Sequence, residues 1–166
     1  KGKFKKTNGM PVISMKDMVA ANALVLLPES KSPHGCSVSP DGRYIIVAGK
    51  LDTHATVFDF KKIKALIDAK NYASKDAYGI PVLDMKKTIH KQVQLGLGPL
   101  HTQFDKEKGI VYTSLYVDSS VARWNYLEGK LIEKLPIHYN IGHLITAEGD
   151  TVNPDGKYLI ALNKLD

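Results

Sequence analysis

The strongest constraint on this chain is a turn-and-strand unit that comes back along its length. Ser39-Pro40-Asp41-Gly42-Arg43-Tyr44-Ile45-Ile46-Val47 returns as Asn153-Pro154-Asp155-Gly156-Lys157-Tyr158-Leu159-Ile160-Ala161. A looser copy, Phe104-Asp105-Lys106-Glu107-Lys108-Gly109-Ile110-Val111-Tyr112-Thr113, lies between them. Proline presets its own φ and glycine accepts positive φ, so Pro-Asp-Gly makes a tight turn. The apolar, β-branched run after it reads as the returning strand of a hairpin. Aligned on Tyr44, Tyr112 and Tyr158, the copies stand 68 and 46 residues apart. The second spacing suits a four-stranded propeller blade of roughly 40–50 residues, and the first then requires an insertion of about 20.

The insertion is expected within residues 59–93. Phe60, Ile63, Leu66 and Ile67 recur at helical spacing among lysines, which predicts an amphipathic helix of about ten residues. Residues 71–79 read as a polar loop, and Pro81 blocks helical continuation. Near the start, Ser14 is placed to cap a second short helix bearing Met15, Met18 and Val19. Strand-like runs occupy residues 25–27, 44–48, 56–60, 110–115, 121–124, 131–135 and 158–162. The expected class is all-β: a partial β-propeller of about three blades with a short helical insertion, a β-sandwich being the alternative.

The 166 residues suit a single domain or part of a larger one. With 43% apolar residues the chain can bury a real core, which excludes wholesale disorder. The longest apolar stretch, residues 19–27, is interrupted by Asn22 and falls far short of the ~20 residues a membrane-spanning helix needs. The net charge of +6 is scattered. Only Lys1, Lys3, Lys5 and Lys6 cluster, with no interleaved aromatic platform, so no nucleic-acid partner is expected. A single cysteine, Cys36, excludes an internal disulfide and any CxxC metal knuckle. The chain opens on Lys1 and stops just after a strand-like run that would leave an unpaired edge, so an internal fragment of a longer protein is expected.

The histidines keep step with the repeat. His34, His101 and His143 precede the repeat tyrosines by 10, 11 and 15 residues, each with glycine or proline close by. Equivalent positions on successive blades can converge on a propeller axis. Three imidazoles at one spot would suit copper, zinc, iron or nickel, and no carboxylate recurs at a matching position to favour a hard ion. The other reading is three unconnected histidines, each hydrogen-bonded within its own blade. Spacing leaves both open.

The wording of the motifs adds to this. Ser32-Pro33-His34-Gly35-Cys36, Gly96-Leu97-Gly98-Pro99-Leu100-His101-Thr102-Gln103-Phe104-Asp105, Tyr112-Thr113-Ser114-Leu115, His138-Tyr139-Asn140-Ile141-Gly142-His143-Leu144 and Leu162-Asn163-Lys164 closely resemble the nitrous oxide reductase family. The resemblance runs over essentially the whole chain in family order. It implies a periplasmic multicopper enzyme of denitrification, with a seven-bladed N-terminal propeller and a C-terminal cupredoxin domain. Residues 1–166 would then be a fragment of the propeller domain, with the cupredoxin domain absent. The family's tetranuclear, sulfide-bridged copper cluster is held by seven histidines on the axis, and His34, His101 and His143 match three of them. The resemblance further implies a dinuclear copper centre in the cupredoxin domain and a head-to-tail homodimer. It implies an electron donor such as a c-type cytochrome or cupredoxin, and reduction of N2O to N2 and water with two electrons and two protons. The fragment alone is expected to be inactive. Structural calcium is implied as well. One site takes the backbone carbonyl at Lys164, because an ammonium cannot ligate a cation. The other takes an asparagine before the Pro-His pair, where this chain departs from the family with Ser32.

Remaining polar residues receive modest expectations. Asp105, Asp118 and Glu148 are candidates to orient the imidazoles, with Arg123 as a cation near the rim, or else ordinary turn and surface residues. His54, His90 and His138 are expected to face solvent or make local bonds. Met10, Met15, Met18 and Met85 are expected as core filler, Cys36 as a small buried residue, and Trp124 and the tyrosines as packing between blades. The competing reading of the whole chain is a non-enzymatic propeller that binds through its loops, since fold alone does not give function. The placement of the three rings in space separates the two.

Overall fold

A computed structural model describes residues 5–29 and 31–165. In chain order the strands are β1 Lys5–Thr7, β2 Met10–Val12, β3 Pro33–Val38, β4 Tyr44–Gly49, β5 His54–Asp59, β6 Ser74–Lys75, β7 Pro81–Val82, β8 Ile89–Gln94, β9 Pro99–Phe104, β10 Ile110–Leu115, β11 Ser120–Asn125, β12 Lys130–Pro136, β13 Ile141–Thr146 and β14 Leu159–Asn163. The helices are α1 Met15–Ala20, α2 Phe60–Asp68 and α3 Met85–Thr88.

The repeat becomes three antiparallel sheets. β3-β4-β5-β8 form the first, β9-β10-β11-β12 the second and β13-β14 the third. Each Pro-Asp-Gly or Asp-Lys turn joins the first strand of its sheet to the second. In the first, the Gly42 N–H closes the turn on the Ser39 carbonyl at 2.7 Å, with Gly42 at φ +68°. The first strands lie together, β3 against β9 and β9 against β13, while the outer β8 meets β12. Successive sheets joined inner strand to inner strand are propeller blades, not the two facing sheets of a sandwich.

Packing explains the sequence of β4. Ile46 joins Ala55, Val57, Val93 and Leu95 in a core shared with Phe104, Val111, Leu115, Ala122, Trp124 and Tyr126 of the second blade. Val47, pointing the other way, packs with Phe58, Ile63 and Leu83 beneath the insertion. Both faces are covered, so β4 reads as a near-continuous apolar run rather than an alternation. In the middle of the shared core, the Trp124 indole N–H donates to Thr113 Oγ1, which also meets Thr102 Oγ1, each at 2.9 Å.

The insertion follows from one residue. Asp59 ends β5 and caps α2, its carboxylate accepting from the Lys61 N–H at 2.9 Å and from the Arg43 guanidinium at 2.6 Å. The strand-like run therefore stops at Asp59, and Phe60 opens the helix. Ser14 caps α1, accepting from the Asp17 N–H at 3.1 Å. Of residues 25–27, only Leu26 pairs, through one parallel bridge to Val82.

Several expectations are corrected. Cys36 is exposed, because Gly35 and Ser37 face β9 and turn Cys36 to the opposite side. Met10 and Met15 are exposed rather than core filler. Trp124, Tyr126 and Tyr44 pack between blades, but Tyr78, Tyr139 and Tyr158 lie on the surface. Among the described residues no helix is long and apolar enough to cross a membrane, which says nothing of strands.

Candidate metal centre

The three histidines of the repeat stand near the starts of the three inner strands: His34 on β3, His101 on β9 and His143 on β13. These strands run side by side in the same direction. Ser37 Oγ donates to the Thr102 carbonyl at 3.3 Å, and the Gly35 Cα lies beside the Leu100 carbonyl. On the other side, the Leu144 N–H donates to His101 Nδ1 at 3.0 Å and the Thr146 N–H to Gln103 Oε1 at 3.3 Å. The histidines therefore occupy one end of the stack.

Each also sits in a break of its own ladder. Between Pro33↔Gly49 and Cys36↔Val47, the pair His34-Gly35 opposes Ala48 alone. Between Thr113↔Thr102 and Leu115↔Pro99, Leu100-His101 opposes Ser114. Between Ile141↔Asn163 and Leu144↔Ala161, Gly142-His143 opposes Leu162. Two residues against one is a β-bulge, a device that re-aims a side chain beside a site. Here it recurs in three blades at the histidine.

The His101 and His143 rings meet at 5.1 Å between centroids, inclined by 63°. His101 is half-buried, and its pKa is lowered by desolvation and then by the charge of His143. His34 is exposed; its pKa is lowered by desolvation and then by Lys164, His143 and Lys50, against a hydrogen bond with the Leu100 backbone. Lys50 of the first blade and Lys164 of the third both lean on the ring of Tyr116 from the second, at 4.7 and 5.9 Å. This end of the stack is electropositive.

The donor chemistry fits a copper-like ion. Neutral imidazole is the ligating form, and the local field holds His34 and His101 toward it. The Leu144 bond assigns the proton of neutral His101 to Nε2, so holding a metal through Nε2 would require the other tautomer and the loss of that backbone bond. As arranged, His101 and His143 form a pair, and among the described residues no three His, Cys, Asp or Glu side chains enclose a single ion.

The other candidates lie elsewhere. Asp105 accepts from the Tyr112 hydroxyl and the Glu107 N–H, Asp118 from the Leu97 N–H and Lys134, and Arg123 pairs with Glu107 and Glu133. Glu148 is an exposed turn residue at φ +56°. His54 bonds Thr53 and Asp52, and His90 bonds the Leu127 carbonyl and stacks on Tyr44. Lys164 follows β14, its N–H donating to the Asn140 carbonyl at 3.1 Å. Ser32 precedes β3 at φ +52°, its carbonyl accepting from the Lys50 N–H at 2.9 Å. Lys50, Tyr116 and Ser114 were not singled out as site residues from sequence. Ser114 lies inside the Tyr-Thr-Ser-Leu motif, and no periodicity marks the other two.

What these observations define is a β-propeller segment with imidazoles on its innermost strands. The family model described as nitrous oxide reductase propeller repeat matches residues 134–166. The nitrous-oxide reductase of Stutzerimonas stutzeri is 38% identical over 83% of this chain and 21% of that protein. Those of Ralstonia nicotianae and Cupriavidus necator are each 36% identical, over 92% and 95% of this chain. The chain is thus a homologue of nitrous-oxide reductase and corresponds to its propeller region, spanning a fifth to a quarter of the length of these relatives. Among solved structures, hydrazine synthase of Kuenenia stuttgartiensis matches with a TM-score of 0.54 at 14% identity, covering 79% of this chain and 30% of that one. That likeness concerns the fold alone.

Proposed function

We propose that this chain forms axial blades of a copper-dependent nitrous oxide reductase, in which His34, His101 and His143 are three ligands of a tetranuclear, sulfide-bridged copper cluster. The observation that carries this reading is the equivalent bulge, in three successive blades, that brings each histidine to the same end of the inner strands. Copper held there would supply the two electrons that reduce N2O to N2 and water. The chain's own part is to keep His34 and His101 unprotonated, which partial desolvation favours for both and Lys164 and Lys50 favour for His34, and to hold His101 and His143 edge to face. With this go calcium sites at the Lys164 backbone carbonyl and at Ser32, where a hydroxyl would stand in for a side-chain amide. A dinuclear copper centre in a cupredoxin domain, a homodimer, a c-type cytochrome or cupredoxin donor and a periplasmic setting complete the reading.

The test is His101→Ala in the full-length protein, with copper content, N2O turnover and far-UV circular dichroism measured together. Turnover and cluster copper are expected to vanish while the β spectrum persists. Wild-type turnover in that variant would refute the assignment.

A further inference from the structure

We propose that Ser114 is a positioning residue that fixes the spacing of His101 and His143 through their backbones; this rests on the reading above and deepens it. Ser114 lies on β10 and is completely buried. It is the single residue that opposes the Leu100-His101 bulge. Its hydroxyl accepts from the His101 N–H at 3.1 Å and donates to the Gly142 carbonyl at 2.6 Å. One oxygen therefore ties the backbone of one histidine to the residue preceding the other, across two blades.

The bulges explain why a side chain is needed there. Where two residues oppose one, the ladder leaves backbone groups without their regular partners. Buried backbone groups are seldom left unpaired. The His101 N–H and Gly142 carbonyl both fall in such breaks, and the Ser114 hydroxyl satisfies both at once. The equivalent residues opposite the other two bulges are Ala48 and Leu162, which carry no polar group. Of the three bulges, the hydroxyl therefore stands opposite that of His101 alone, on the blade that lies between the other two.

The test uses Ser114→Ala and Ser114→Thr in the purified protein, with Ser37→Ala as a control that removes another interblade hydroxyl. Two readouts are taken: cuprous-ion affinity by competition with a chromophoric chelator, and ring-to-ring NOE cross-peaks between His101 and His143 in metal-free protein. Ser114→Ala is expected to weaken copper binding about 10-fold, the lower range for losing a support of a metal ligand, and to diminish the cross-peaks. Ser114→Thr should restore both, and Ser37→Ala should leave both unchanged. Should Ser114→Ala fail to fold, Ser114→Cys, near-isosteric with only a weak donor, replaces it under the same readouts. Undiminished cross-peaks and affinity without the hydroxyl, or equal losses in Ser37→Ala, would overturn the proposal. If the wild-type protein binds no copper, the functional reading fails, and the cross-peaks still decide the role of Ser114.

Discussion

Replacing Gly35 with alanine is expected to pry the first two blades apart. A Cβ built at Gly35 lies 2.1 Å from the Leu100 carbonyl oxygen and 3.1 Å from its carbon, both backbone atoms. Ordinary contact begins at 3.4 Å, so β3 and β9 must separate locally by 1.3 Å. No side chain can rotate away to relieve this. Overpacking of this kind costs about 1–3 kcal/mol. With a urea m-value of about 1–3 kcal/mol/M, the unfolding midpoint should fall by roughly 1 M. Gly42→Ala is the contrast. There a Cβ meets nothing within 4 Å, but φ is +68°. Its cost is conformational, about 1 kcal/mol, and Gly42→Asn should recover most of it because asparagine tolerates that region. Asparagine at position 35 should be worse than alanine. A Gly35→Ala midpoint equal to wild type, or a smaller loss than in Gly42→Ala, would refute the claim that close blade approach requires glycine here.

Two further perturbations probe the core and the pH response. Thr113→Val removes the acceptor of the Trp124 indole N–H and leaves a buried donor unpaired, for an expected loss of about 1–3 kcal/mol in urea unfolding; a Trp124→Phe background should abolish most of that loss. Among the described residues the buried Glu29 Oε2 has no hydrogen-bond partner, and desolvation raises the Glu29 pKa from 4.5 to about 7. The folded state then binds more protons than the unfolded one between these values, so the contribution of Glu29 is present below pH 4.5 and is lost as pH rises toward 7. Glu29→Gln should become increasingly stable relative to wild type across that interval, and a constant difference in unfolding midpoint would contradict this.

The outer architecture was written plainly in the chain. Tyr44-Ile45-Ile46-Val47 and Ile110-Val111-Tyr112 are β-branched and aromatic runs behind turn residues, and both became second strands. Ser14 announced the helix it caps and the spacing of Phe60, Ile63, Leu66 and Ile67 announced the other, whereas Asp59 read as strand rather than as its cap. The innermost strands were not legible as strands. Pro33-His34-Gly35-Cys36-Ser37 and Ile141-Gly142-His143 break alternation at the bulge and carry small, polar residues that meet the neighbouring backbone. β8, Ile89-His90-Lys91-Gln92-Val93-Gln94, was hidden by its charged and amide side chains. The histidine positions could be read from the repeat, whereas the contact of His101 with His143 could not, because it depends on which blade faces lie together. That Lys50 and Lys164 meet over the ring of Tyr116 was equally hidden, because separate loops bring them there.

The surplus residue opposite Ala48, Ser114 and Leu162 makes the aim of each imidazole a matter of counting rather than of chemistry. Strand side chains alternate between faces, so deleting one position from such a segment would restore an unbroken ladder and swing its histidine half a pleat. A propeller built this way can turn an inner-strand histidine toward or away from its neighbours by the gain or loss of a single codon, leaving the hairpin around it intact.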